Sequence, residues 1–150
     1  MAADVLVRLA SYAGEPRYSR AAEAAVAQVQ ATAGQVPLGF ARWLSVLDFA
    51  LAPPETLAIL GPDPREMLNV VWQRYRPNLL VAAGDAAEAD TPELLRQYGV
   101  QGGRGSLPAA VESPRSTAHL CRQFTCAPPI CSAAELASAL DLEVRATEAL

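Results

Sequence analysis

The chain has 150 residues, of which 51% are hydrophobic and 19% charged, and it carries a net charge of −4. This is a one-domain length with a globular composition, large enough to bury roughly 70% of the surface its unfolded form exposes. All twelve basic residues are arginine. They are scattered without a basic stripe, which argues against nucleic-acid binding, and no apolar run reaches membrane-span length.

The first third reads as helices. In ADVLVRLASYAG, Val5, Leu6, Leu9 and Tyr12 or Ala13 share a face, and Gly14 is a C-terminal stop. Pro16 suits the first turn of a second helix. There Tyr18, Ala22, Ala25, Val26, Val29 and Ala33 form a small-residue face that permits close packing, and Gly34 closes it. A third helix near LGFARWLSVLDFALA carries Phe40, Trp43, Leu44, Val46, Leu47, Phe49 and Leu51 nearly all round its circumference. Such a helix expects protein on every side, and two preceding helices cover only part of it. Phe40, Trp43 and Phe49 are therefore the expected self-association contact. Pro53 and Pro54 end this helix.

Beyond the double proline the pattern changes. TLAILG (56–61) is a short continuous apolar run, as in a strand buried on both faces. PDPREMLNVVWQRYR predicts a helix with Met67, Val70, Val71 and Arg74 or Tyr75 on one face. PNLLVAAG (77–84) is a second buried run, so the three pieces form a βαβ unit. DTPELLRQYG predicts a short helix with Asp90 or Thr91 as N-cap and Gly99 as stop. GVQGGRGS reads as a connector, LPAAV as a short strand and TAHLCRQFTC as a longer one. Ser132 with Glu135 is a capping box that opens a last helix to about Ala146.

The expectation is an α+β protein. Residues 1–54 form three helices beside a small α/β subdomain, 55–150, of order β-α-β-α-(β)-β-α, thioredoxin-like or Rossmann-like. Neither glycine-bearing segment matches a nucleotide motif. GVQGGRGS lacks the Lys-Ser or Lys-Thr of a P-loop, and LAILGPDP lacks the later glycines of a dinucleotide fingerprint. No cofactor is expected. Asp48, in the apolar third helix with Arg42 six residues earlier, is either a buried acid needing a partner or a solvated edge residue.

The segment HLCRQFTCAPPIC holds the only histidine and all three cysteines. His119, Cys121, Cys126 and Cys131 match the ligand count of a zinc site, but gaps of one, four and four residues are poor zinc spacing. A redox or disulfide pair of Cys121 and Cys126 is the second reading. In one extended strand they lie roughly 16 Å apart, so either reading needs a turn within RQFT. The third reading is that both are small buried hydrophobes. An odd cysteine count and the absence of a leader-like N-terminus point to a reducing, cytoplasmic setting.

The run MAADVLVRLASYAGEPRY, then PLGFARWLSVLDFALAPP, a βαβ unit and CRQFTCAPP resembles the C-terminal part of the YyaL-type thioredoxin-domain-containing (spermatogenesis-associated) family. The most specific pieces are the end of the third helix and the C-x-x-F-T-C-x-x-P signature at Cys121, Phe124, Thr125, Cys126 and Pro129. The resemblance covers essentially the whole chain. It implies a parent several times longer, with a thioredoxin-like domain and an α/α toroid similar to six-hairpin glycosidases and sugar epimerases. This chain would then be the last toroid helices and the terminal α/β subdomain. Its partner would be the rest of that parent, or another copy of the chain, through the N-terminal helices. Only Cys121 and Cys126 carry over as candidate functional positions, because His119 replaces a common aromatic and Cys131 lies outside the signature. The expected role is a non-catalytic module, with a thiol redox role or a share in a sugar enzyme of the parent as alternatives.

Overall fold

The computed structural model describes residues 2–52, 55–85, 92–100, 116–122 and 125–147. The fold is α+β. The helices α1 (Ala2–Ala13), α2 (Pro16–Gln35) and α3 (Ala41–Leu51) come first, with a 3₁₀ turn at Pro37–Phe40 before α3. Then follow β1 (Glu55–Leu60), α4 (Arg65–Trp72), β2 (Leu79–Gly84), α5 (Glu93–Val100), β3 (Thr117–Arg122), β4 (Thr125–Cys126) and α6 (Ala133–Thr147). The expected Asp90 or Thr91 cap, the strand LPAAV and most of GVQGGRGS lie outside the described residues.

The sheet order is β2-β1-β3-β4, with β1 and β2 parallel and β3 antiparallel to both β1 and β4. A Rossmann-like sheet is mostly parallel, so that alternative is not met. Central β1 is buried on both faces, as its unbroken apolar run requires. Alternation sends Leu57 and Ile59 to one side, where they join Ala118 and Leu120 under Met67 and Val71 of α4 and Leu136 and Leu140 of α6. Ala58 and Ala82 face the other side, under Leu94 and Leu95 of α5, with Tyr12 of α1 packed against them. The helical third thus supplies part of the sheet's second layer.

Gly61 is required where β1 ends. Its φ is 134°, and a Cβ there would lie 2.7 Å from the Ser116 backbone. A side chain meets both the conformational barrier and a collision at that point.

Three sequence expectations are corrected. The strand TAHLCRQFTC is a hairpin, because the chain reverses between Arg122 and Thr125 and pairs them directly. Helix α4 stops at Trp72 instead of reaching Tyr75, and Tyr75 is 90% exposed, not on the buried face. Pro77 disfavours helical backbone at Arg76 and so closes off any continuation. The third correction concerns α3: Phe49 is only 3% exposed and Val46 is fully buried. Phe40 and Trp43 are half-buried. Phe49 is covered within one chain, so it is not a self-association contact. The capping box forms as expected, with the Glu135 amide donating to Ser132 Oγ at 3.2 Å. In return, the Glu135 carboxylate accepts from the Cys131 amide at 3.2 Å.

Arg8 joins the helices to the sheet. Its Nε donates to Asp4 at 3.1 Å, its guanidinium lies 4.3 Å from the Phe49 ring centroid, and Nη1 donates to the Pro77 carbonyl at 3.1 Å. One turn later, Tyr12 Oη donates to the Val81 carbonyl at 3.0 Å. Asp4 also pairs with Arg42 of α3. Burial disfavours the charge on Asp4, but hydrogen bonds and attraction from Arg8 and Arg42 outweigh it and hold the carboxyl below its ordinary value. Asp48 is exposed and accepts from Asn78 Nδ2 at 3.3 Å, so it is a solvated edge acid, not a buried one.

We expect Tyr12→Phe, which leaves the Val81 carbonyl unpaired, to lower stability by about 1 kcal/mol. Arg8→Ala, which removes two hydrogen bonds and a ring contact, should cost about 2 kcal/mol. Urea denaturation measures both. Wild-type stability in both variants would mean that the joint contributes nothing.

Candidate functional site

The β3–β4 hairpin gathers the residues that the sequence singled out. Cys121 sits directly opposite Cys126, with a Cα–Cα distance of 4.0 Å, and the two form a disulfide. The local ladder explains why they meet. Ala127 donates its amide to the Leu120 carbonyl at 2.9 Å, which makes 120 and 127 a hydrogen-bonded pair. The next pair, 121 and 126, is then a non-hydrogen-bonded one, where strands approach most closely. The turn that the disulfide reading demanded within RQFT is therefore present, although Gln123 and Phe124 lie outside the described residues.

The two sulfurs occupy different environments. Cys121 is 4% exposed, whereas Cys126 lies on the outermost strand and is exposed. The picture of two buried thiols holds for Cys121 alone. Because Ala118 and Leu120 point into the α4/α6 core, His119 and Cys121 point to the opposite face. His119 lies opposite Ala58 and is half-buried. Burial pushes its pKa below the ordinary imidazole value.

Cys131 stands apart. Ile130 is bridged to Ala118 by hydrogen bonds of 2.8 and 2.9 Å. Ala118 lies three residues from Cys121 along β3, so about 10 Å of strand already separates Ile130 from the disulfide, and Cys131 lies one residue further on. Cys131 is a free, exposed thiol just before α6. The four-residue zinc arrangement fails on this geometry: two of its sulfurs are bonded to each other and the third lies at the wrong level. Among the described residues, no three His, Cys, Asp or Glu side chains are grouped to hold a metal ion.

A second feature lies in the helical third. Between α1, α2 and α3 runs an open groove of about 450 Å³, lined by Ala10, Val26, Leu47, Phe49 and Leu51 among others. Leu51 is 75% exposed, and Leu38, in the 3₁₀ turn, is 94% exposed. Sequence reasoning put the contact on Phe40, Trp43 and Phe49, but the most exposed large apolar side chains of this third are Leu38 and Leu51, followed by Val5 and Val36. The small-residue face of α2 was the signal for this groove, since alanines narrow the helix and leave space beside it.

No protein-family profile, curated protein or solved structure matches the chain. Among the described residues, no helix is long and apolar enough to cross a membrane.

His119 gives a pH-dependent test. A lowered native pKa means that the unfolded state binds a proton more readily, so stability falls as the pH drops through the ordinary imidazole range. The His119 ring resonance, followed by NMR, should titrate with a midpoint below the ordinary value. A midpoint at or above it would contradict the burial described here.

Proposed function

We propose that this chain is a non-catalytic module of a larger thioredoxin-domain-containing protein, and that its α1–α3 segment receives further helices of that protein. The groove between α1, α2 and α3 carries this reading. It is open, its lining is largely apolar, and helices pack by seating side chains of one in the grooves of another. The resemblance to the terminal part of a protein with an α/α toroid supports the same occupant. The order β-α-β-α-β-β-α, with a parallel pair followed by an antiparallel hairpin, supports the thioredoxin-like description of residues 55–150 over the Rossmann-like one. The loop that opens α4, where a helix N-terminus would depress a thiol pKa, reads Gly61-Pro62-Asp63-Pro64 and contains no cysteine. An active thiol of that type therefore has no place there.

The groove reading has a direct test. The isolated chain should bind an apolar dye such as anilinonaphthalene sulfonate and self-associate with rising concentration in sedimentation. Leu38→Glu with Leu51→Glu should suppress both effects. A strict monomer that ignores the dye would remove the support for a missing helical neighbour.

A specific observation favours a second reading, a thiol–disulfide couple at Cys121 and Cys126. The pair is bonded, and only Cys126 is exposed. A thiolate of an external dithiol would therefore attack Cys126 Sγ, forming a mixed disulfide and releasing Cys121 as thiolate. The second thiol of the reductant then displaces Cys126. Two electrons pass, leaving a protein dithiol and an oxidised reductant. In a Cys131→Ser background, Cys121→Ser should accumulate a mixed disulfide at Cys126 with oxidised glutathione, whereas Cys126→Ser should leave Cys121 largely unmodified. Equal modification of the two, read by mass spectrometry, would refute this order of attack.

A further inference from the structure

We infer that the Cys121–Cys126 disulfide is a redox-released latch. A dithiol that opens it frees the tip of the sheet's edge segment, Thr125 to Ala127, while the root of that segment at Ile130 stays in place. The inference rests on the thiol–disulfide couple described above and adds what that couple controls.

Two prolines divide the segment that runs along the outer side of β3. On the tip side, Thr125 and Cys126 pair with Arg122 and Cys121, and the Ala127 amide donates to the Leu120 carbonyl at 2.9 Å. Pro128 and Pro129 follow, and neither has an N–H to give to a ladder. On the root side, Ile130 exchanges two backbone bonds with Ala118, at 2.8 and 2.9 Å. The register also slips across the prolines. Residue 127 lies against 120 but 130 lies against 118, so the edge carries one extra residue, as in a bulge.

Tip and root are held by different forces. Thr125, Cys126, Ala127 and Pro128 are all exposed, so the tip buries no side chain. Ile130 is 8% exposed and packs into the core under α4 and α6. Apolar burial therefore secures the root, whereas the tip depends on a short ladder open to water and on the S–S bond. An intact disulfide keeps Cys126 against β3 whatever the ladder does. Without it, the tip joins the class of local openings that cost far less than global unfolding.

The step balances with a dithiol as co-reactant. One thiolate takes Cys126 Sγ, Cys121 leaves as thiolate, and the second thiol resolves the mixed disulfide. The protein's S–S bond is exchanged for the reductant's, and two electrons and two protons pass to Cys121 and Cys126. Each opening of the reduced tip then leaves the Leu120 carbonyl without its donor and the outer side of β3 unpaired over that stretch. Beyond the prolines, the Ala118–Ile130 bridge and the capping box of Ser132 with Glu135 persist, so α6 does not follow.

Hydrogen exchange followed by NMR tests this in a Cys131→Ser background. It compares the oxidised chain, the chain reduced by dithiothreitol, and the double variant Cys121→Ser with Cys126→Ser. We expect the Ala127 amide to exchange about tenfold faster or more in the reduced chain and in the double variant, and the Ile130 and Ala118 amides to change by less than about twofold. A disulfide that dithiothreitol leaves intact would overturn the thiol couple, and release by reduction with it. Unchanged protection of Ala127 in the double variant would overturn the latch alone. Equal acceleration at Ala127, Ile130 and Ala118 would do the same, because the whole edge would then open as one unit.

Discussion

The arginine at position 8 decides how the two parts of this protein meet. A half-buried guanidinium must be satisfied by acceptors on more than one side, and Arg8 finds them on three elements. It reaches Asp4 on its own helix, the Phe49 ring on α3 and the carbonyl of Pro77 before β2. A lysine could supply the charge but not the flat face over the ring together with two divergent N–H bonds. With Arg8 fixed, Tyr12 falls one turn further along α1, and its hydroxyl meets the outward carbonyl of Val81. The helical third is thereby stitched to the open side of the sheet.

That stitching solves a problem posed by the sheet itself. A four-stranded sheet has two edges, and an uncovered edge invites pairing with another chain. At the β2 edge, Tyr12 of α1 takes a backbone acceptor. At the opposite edge the outermost strand has only two residues and is bonded covalently to its neighbour through Cys121 and Cys126. A short strand of this kind gains little from its few ladder bonds, so the disulfide bears directly on whether it stays paired. Any chemistry at Cys126 is therefore also a change in how the sheet's edge is finished.

Much of the architecture was legible in the residues. Unbroken apolar runs gave β1 and β2, the 3.6-residue period gave the helices, and Ser132 with Glu135 gave the start of α6. What escaped depends on geometry that no local pattern encodes. The chain reverses between Arg122 and Thr125 without glycine, proline, asparagine or aspartate in the RQFT segment, so the residues that usually announce a tight turn are missing. The depth of Phe49 depends on a cation from another helix reaching across it, which periodicity along α3 cannot report. The same holds for the end of α4: Trp72, Arg74, Tyr75 and Arg76 read as one continuous helix until Pro77 is allowed its effect on Arg76.

Arg8 also links features that otherwise look separate. Its guanidinium lies over Phe49, which lines the groove between the first three helices, while the same group holds the Pro77 carbonyl just before β2. A helix seated in that groove would touch Phe49 and, through the ring, the guanidinium above it. The surface proposed to receive a neighbour and the joint that holds α1 to β2 therefore share one side chain, so whatever fills the groove bears on how firmly the helices stay on the sheet.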